Sequence, residues 1–360
     1  MRRFALLVAG LALLAGFAAT VSGGATQATT RWVITDLGTL GGTDGHPSAI
    51  NNNGQVVGQS GTNKKGENGY PLEHAFLWQN GKMIDLGTLG GKESSASDIN
   101  DKGQIVGWAE TKAKDRDGYP IVHAFLWQNG RMRDLGTLGG AGSSASAINE
   151  IGQIAGYAGV KRGAAHAVLW EQGRIRDLGR QHNADAPTDI NNRGQVVLTG
   201  TCDCPGDDPS WTYLWENGKL TDLGDLPGTD STWGESINEF GQIVGGSTKV
   251  NRGDVSHAFL WERGAIRTLG TLGGKESSAF DINDKGQIVG ESALKRGATR
   301  AFLWQAGNMT NLGTIRARRS EAHALNERGQ IVGIVTAAGY RPQSGEEWYS
   351  FRAVLWTLKP

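Results

Sequence analysis

The chain holds seven histidines in 360 residues, and their spacing divides them into two sets. His74, His123, His166 and His257 each head a recurring phrase, HAFLW or a close relative. A residue repeated at one place in four units serves the unit, so these imidazoles are expected to hydrogen-bond a neighbouring strand. His46, His182 and His323 fall outside the phrase. His323 lies in RARRSEAHALN (316–326), beside Arg318, Arg319 and Glu321. An imidazole next to a guanidinium and a carboxylate can hold an anion or act as a general base. His323, His182, His46, Glu235 and Arg319 therefore form the candidate catalytic set, on the condition that distant parts of the chain converge.

Other chemistry is poorly represented. Cys202 and Cys204, in TCDCPGDD, are too few and too close to supply a disulfide framework, and no clustered His completes a metal site. DRDG (115–118) has the start of a calcium loop without the further ligands. The sequence contains no G-x-S-x-G, no H-E-x-x-H and no phosphate-binding glycine loop. GTLGG recurs in several units and joins no strand to a helix, so its glycines serve a turn. The serines of ESSAS (93–97) and ESSAF (276–280) read as hydrogen bonders at strand starts rather than nucleophiles. No metal and no cofactor is expected. With 36 basic and 36 acidic residues the formal charge is zero, which gives no electrostatic ground for nucleic acid or an anionic membrane as partner.

What must position these residues is a repeat. The phrase IN..GQIVG places its Asn at Asn51, Asn100, Asn149, Asn191, Asn238, Asn283 and Asn326. HAFLW and its relatives end at Trp78, Trp127, Trp170, Trp215, Trp261, Trp304 and Trp356. DLGTLGG or a relative begins at Asp36, Asp85, Asp134, Asp177, Asp222, Thr268 and Asn311. Each unit contains four short strand-like runs, as in SSASDIN (94–100), QIVGWAE (104–110), HAFLW (123–127) and RMRDLG (131–136). Asn80-Gly81, Asn129-Gly130 and Asn217-Gly218 supply the strongest short hairpin signal between the last two runs.

Four strands per unit and seven units predict an all-β, seven-bladed β-propeller. The phase of the ends predicts its closure. RWVITDLG (31–38) corresponds to a fourth strand and FRAVLW (351–356) to a third. The N-terminal strand then completes the last blade, a 3+1 closure that leaves no unpaired edge. A β-helix fits less well, because its coils are shorter and lack Asn-Gly hairpins.

Arg2 and Arg3, an Ala- and Leu-rich run to about Val21 and the small residues that follow read as a secretory signal over 1–28. Residues 29–360 then form a single propeller domain, secreted or extracellular, with association to the cell envelope allowed. No later segment is long and apolar enough to span a membrane.

The recurring phrases resemble the HAF-repeat family of extracellular bacterial proteins, over about residues 32–356. That resemblance implies a secreted, repeat-built protein and carries no activity and no catalytic residues. Blade 4 departs from it with WTYLW (211–215), and blades 6 and 7 place Arg300 and Arg352 where the His stands.

Strand alternation puts the short 1–2 and 3–4 turns on one face and the variable 2–3 loops and 4–1 crossovers on the other. The loops at 60–73, 111–122, 199–211 and 336–350 collect aromatics: Tyr70, Tyr119, Trp211, Tyr340, Trp348 and Tyr349, with Trp233 from a crossover. Exposed rings beside polar groups suit stacking on sugars or peptides. The expected function is a binding or interaction module whose loop-rich face grips an extracellular carbohydrate, peptide or cell-envelope ligand. The alternatives are a propeller lyase or hydrolase at the axial channel mouth, and a purely structural envelope protein.

Overall fold

The computed structural model describes residues 31–67, 69–179, 184–201, 210–249, 255–315, 317–340 and 347–359. The side chains of 184, 185, 201, 337–340 and 347–349 are outside that description, as are residue 182 and both cysteines. The described residues form seven four-stranded antiparallel sheets and no helix. The innermost strands are Gly41–Ile50, Gly90–Ile99, Gly139–Ile148, Ala184–Ile190, Ser231–Ile237, Gly273–Ile282 and Arg319–Leu325. Each packs against the inner strand of both neighbouring blades, so the sheets stand in a closed ring. Blade 7 is completed by Arg31–Asp36, which pairs antiparallel with Glu347–Lys359, Ile34 opposite Trp356. The protein is a seven-bladed β-propeller with the expected 3+1 closure.

The sequence phrases now have physical reasons. Asn80, Asn129 and Asn217 adopt φ of 51–53° ahead of a glycine that is also at positive φ, the mirror-image turn that matches strand twist. The Phe of HAF is fully buried at Phe76, Phe125, Phe259 and Phe302. Seven apolar clusters fill the seven gaps between blades; Val57, Leu77 and Leu86 of blade 1, for example, pack on Ile105, Ala109 and Phe125 of blade 2. The repeated Trp faces the first residue of the GQIVG strand in register, as at Ile105 and Trp127.

The Asn of IN..GQ closes the ring. Its Nδ2 donates to the backbone carbonyl of the corresponding Asn in the next blade, at 2.9–3.2 Å, from Asn51 round to Asn326 and back to Asn51. All seven are buried. The following residue makes a second closed ring: each backbone N–H donates to a side-chain oxygen of the next blade, Asn52 to Asp101, Glu150, Asn192, Glu239, Asp284, Glu327 and back, at 2.7–2.9 Å.

Every inner strand also carries a β-bulge at one place. The extra residue is Ser48, Ser97, Ser146, Thr188, Glu235, Phe280 or His323. The bulge brings the inner backbone close to the second strand, and the Gly that ends GQIVG makes room: a Cβ on Gly107 would lie 2.1 Å from the Ser95 oxygen.

Just past the bulge, blades 2, 4 and 6 carry Asp98, Asp189 and Asp281. Each carboxylate takes a backbone N–H of its own blade and one of the next: Ile99 and Ile148, Ile190 and Ile237, Ile282 and Leu325. Burial pushes Asp98 up to about 7 and Asp281 up to about 6, and raises Asp189 as well. The Ser236 hydroxyl makes the same point by geometry. It lies 2.9 Å from Asp189 and 2.8 Å from Asp281 yet has one proton to give, so one of the two carboxyls brings its own.

The sign of the pH effect follows. A carboxyl raised on folding binds a proton in the native state that the unfolded chain has lost. Its contribution is complete below the ordinary carboxylate range and is lost as pH rises towards 7. Asp98→Asn is therefore expected to shrink the loss of thermal midpoint between pH 5 and pH 8 by several degrees. An unchanged difference between the two melts would exclude Asp98 as a source.

Candidate functional site

Polar residues gather at the loop-face end of the axial channel, and the inner strands position them. His46 lies within Gly41–Ile50, Glu235 within Ser231–Ile237, and Arg319, Glu321 and His323 within Arg319–Leu325. The bulge re-aims two of them, since Glu235 and His323 are its extra residues in blades 5 and 7. Glu291, on the second strand of blade 6, joins from the side.

A chain of contacts links these groups. Arg319 Nη2 donates to Glu291 Oε2 at 2.6 Å, and its Nε donates to Glu321 Oε1 at 2.8 Å. Glu321 Oε2 is 3.4 Å from His323 Nε2, and His323 Nδ1 donates to the Pro47 carbonyl at 2.9 Å. Blades 6, 7 and 1 are joined by this chain. Phe280 meets His323 edge-on with centroids 5.9 Å apart, and Phe351 lies 5.0 Å from the His46 ring.

The electrostatics separate the carboxyls. Burial pushes Glu235 up to about 7 while His323, across the channel, pulls the other way. Burial also works to raise Glu321, but the bond from His323 and the charges of Arg319 and His46 outweigh it and hold Glu321 below the usual range. Burial lowers His46, with Asp44 opposing it and the nearness of His323 acting in the same direction as burial. Among the described residues the side chains of Glu235 and His46 make no hydrogen bond.

The structure thus brings His46, His323, Glu235 and Arg319 to one place, while His182 lies outside the described residues. Glu291 went unnoticed in the sequence because it belongs to a different strand and a different phrase. Three histidines of the repeat, His74, His123 and His166, bond within the framework of the blades. His74 Nδ1 sits 2.8 Å from Asp85 and its Nε2 3.0 Å from the Lys92 carbonyl; His123 repeats this with Asp134 and Ala141, and His166 pairs with Asp177. In blade 7 Arg352 substitutes by pairing with Asp36 of the closing strand. The strand-start serines are also occupied. Ser94 accepts the Ala75 N–H and donates to the Gly87 carbonyl, and Ser143, Ser277 and Ser320 do the same in their blades.

The loop aromatics separate. Tyr70 and Tyr119 are 72% and 69% exposed, at equivalent places on neighbouring blades. Beside them runs a groove of about 340 Å³ lined by Glu67, Leu72, Lys92, Glu93, Glu110 and Lys114, with Lys92 and Glu67 paired at 2.7 Å. Trp211 is half-buried in the third strand of blade 4. Trp233 lies in an inner strand rather than a crossover, its ring folded over Gly246, where a Cβ would meet it at 2.2 Å. Tyr340, Trp348 and Tyr349 belong to strands that continue into the expected loop, Tyr340 opposite Glu347; their side chains are outside the described residues.

Among the described residues no group of three or more His, Cys, Asp or Glu is arranged to hold a metal ion. Nor is any helix among them long and apolar enough to cross a membrane.

No protein-family model matches the chain, and no curated protein matches it in sequence. Solved structures match its fold. A puromycin-hydrolysing peptidase of Mycobacterium tuberculosis superposes with a TM-score of 0.54 at 12% identity, over 89% of this chain and 55% of the peptidase. A prolyl endopeptidase gives 0.53 at 10% identity, over 88% and 50%. This chain therefore spans about half the length of those two peptidases. The β-propeller domain of the trilobed protease from Pyrococcus furiosus, described as having an open velcro topology, gives 0.51 at 11% identity over 89% and 97%. At such identities the likeness is one of fold.

Proposed function

We propose that the protein is a secreted binding module that grips an extended glycan or peptide across its loop-rich face. One observation carries this reading: two tyrosines, Tyr70 and Tyr119, stand exposed on adjacent blades beside a groove of mixed charge. Rings of that size left in water on a rigid scaffold offer stacking area at little entropic cost, and their spacing by one blade suits a ligand of repeating units. The Glu67–Lys92 pair and the Glu93, Glu110 and Lys114 side chains supply donors and acceptors for hydroxyl or amide groups. The closed ring supports the reading by fixing the loops' anchor points.

Pull-down on immobilised polysaccharides and peptidoglycan tests it. Tyr70→Ala and Tyr119→Ala are each expected to weaken retention by about tenfold or more, the effect of truncating an anchoring aromatic. Their thermal midpoints should stay within a degree or two, because both rings are on the surface. Retention equal to that of the unaltered protein would remove the groove as the binding site.

A further inference from the structure

Two loops of the loop-rich face repeat one device. Residues 62–71 and 111–120 read TNKKGENGYP and TKAKDRDGYP, the same at five of ten positions. The positions between have drifted, with Glu67 standing against Arg116, while Gly-Tyr-Pro returns at 69–71 and 118–120. The backbone shows how each ring is held. Gly69 and Gly118 take φ of 80° and 88°, and the prolines open the third strands Pro71–Gln79 and Pro120–Gln128. A residue before proline is confined to extended backbone. The Tyr70 carbonyl accepts the Gly66 N–H at 2.9 Å, and the Tyr119 carbonyl accepts the Asp115 N–H at 2.9 Å. Asp115 Oδ1 accepts the Tyr119 N–H at 2.8 Å. Each tyrosine therefore stands on a closed hairpin, with only its side-chain torsions left to fix on binding.

We infer that the ligand of the tyrosine groove is an uncharged polysaccharide built of pyranose units with equatorial hydroxyls, an inference that rests on the binding reading given above. Such a ring carries C–H groups on its two faces and hydroxyls round its rim. A face can lie on a tyrosine while the rim reaches the groove. The charges of the groove are already matched. Its lining holds the carboxylates Glu67, Glu93 and Glu110 and the ammonium groups of Lys92 and Lys114. Lys92 Nζ lies 2.7 Å from Glu67, and the Lys92 backbone N–H donates to Glu110 Oε2 at 2.7 Å. A charged polymer of either sign has to displace one of these partners. With one more carboxylate than ammonium, the lining also gives an acidic polymer no field to follow. A hydroxyl both donates and accepts, so it bonds either kind of group and leaves the pairing intact. The lining strands exclude a peptide added as a further strand. Val56–Lys65 and Ile105–Lys114 are each paired on both sides, so an extended peptide finds no edge there to lengthen.

Affinity electrophoresis and pull-down with the full chain test this. The panel sets uncharged β-glucan, xylan and chitin against anionic alginate and polygalacturonate, cationic chitosan, and a proline-rich peptide. Retention is expected on members of the uncharged group. It should change by less than about twofold between low salt and about 1 M NaCl, because salt screens ionic contacts and leaves stacking intact. Tyr70→Phe and Tyr119→Phe should keep the affinity of the unaltered protein within about threefold, since the ring face remains, where the alanine variants lose it. Glu67→Gln combined with Lys92→Gln, which keeps donors and acceptors but removes both charges, should also hold within about threefold. Tyrosine-dependent retention confined to the charged polymers or the peptide overturns the inference and leaves the binding reading standing. Retention on the uncharged group that high salt or the double glutamine variant abolishes does the same. Retention on no member of the panel, or retention indifferent to both alanine variants, overturns the inference and the binding reading together.

Discussion

Asn191→Ala is expected to lower the stability of the propeller by about 3–5 kcal/mol, from the removal of four buried hydrogen bonds at once. The side chain donates to the Gln195 side chain at 2.8 Å and to the Asn238 carbonyl at 3.1 Å. Its oxygen accepts the backbone N–H groups of Arg193 and Gln195, both at 3.1 Å. Alanine satisfies none of these, and the site is 3% exposed, so water cannot take over. A buried donor or acceptor left unpaired costs about 1–3 kcal/mol, which sets the scale. Denaturant melts measure the effect, and Asn192→Ala is the natural control. Asn192 lies one residue along in the second ring, where its oxygen accepts a single N–H, from Glu150, so about 1 kcal/mol is the expected loss. Equal losses at the two positions would show that the inner ring has no special weight. The same reasoning makes Asn191→Asp nearly as damaging as Asn191→Ala. The carboxylate keeps the two accepted bonds but turns two donations into a repulsion with the Asn238 carbonyl.

Much of this was legible in the sequence, and what was not has physical causes. Seven copies of one phrase fix the number of blades, and the phase of residues 31–38 against 351–356 fixes the closure, because strand order in a repeat is written linearly. The Asn of IN..GQ is visible as a repeat, but its bond to the next blade is not. A donor and acceptor 42–49 residues apart leave no local pattern. The bulge is hidden for another reason. One extra residue in a strand looks like any other residue, so the period of two that identifies strands passes over it. That omission matters most for the site. His323, Glu235 and Arg319 could be singled out by residue type, but what makes Glu235 unusual is a half-buried carboxyl, raised by burial, that feels the charge of a blade two places away. Trp233 went the other way: it reads as an exposed loop ring, and a glycine on the next strand gives it a bed to lie in. Asp98, Asp189 and Asp281 read as ordinary polar residues before an apolar one, because burial at the axis is a property of the ring and of no single blade.

Removing residues 31–38 is expected to leave no stable folded monomer. The closing segment contributes six backbone pairings, and three of the side chains it brings, Trp32, Ile34 and Leu37, are apolar and packed. Leu37 is 6% exposed and packs with Ile50 and Phe76 of blade 1 and Leu355 of blade 7; Trp32 and Ile34 cover the cluster around Trp356. Full burial of such side chains stabilises by about 1.5–3 kcal/mol each, so three partly to fully buried ones supply about 4–8 kcal/mol, a large share of the 5–15 kcal/mol that holds most domains folded. The cost extends beyond the missing contacts. Without its neighbour, Glu347–Lys359 becomes a thirteen-residue edge strand with Trp356, fully buried in the intact ring, exposed beside unpaired N–H and C=O groups. Such an edge recruits other chains, so the truncated protein should elute as aggregate in size-exclusion chromatography and lose its cooperative melt. The open velcro of the Pyrococcus furiosus domain shows that a propeller ring of another sequence can go without this tie. In this chain the difference lies in the partner strands. Arg352 points its guanidinium at Asp36, 3.2 Å away, and the Leu37 N–H donates to the Ala353 carbonyl at 2.9 Å, so blade 7 is built to receive a fourth strand. A truncated chain that stays monomeric and melts cooperatively near the temperature of the intact protein would show the opposite, that six blades and a three-stranded seventh hold the ring by themselves.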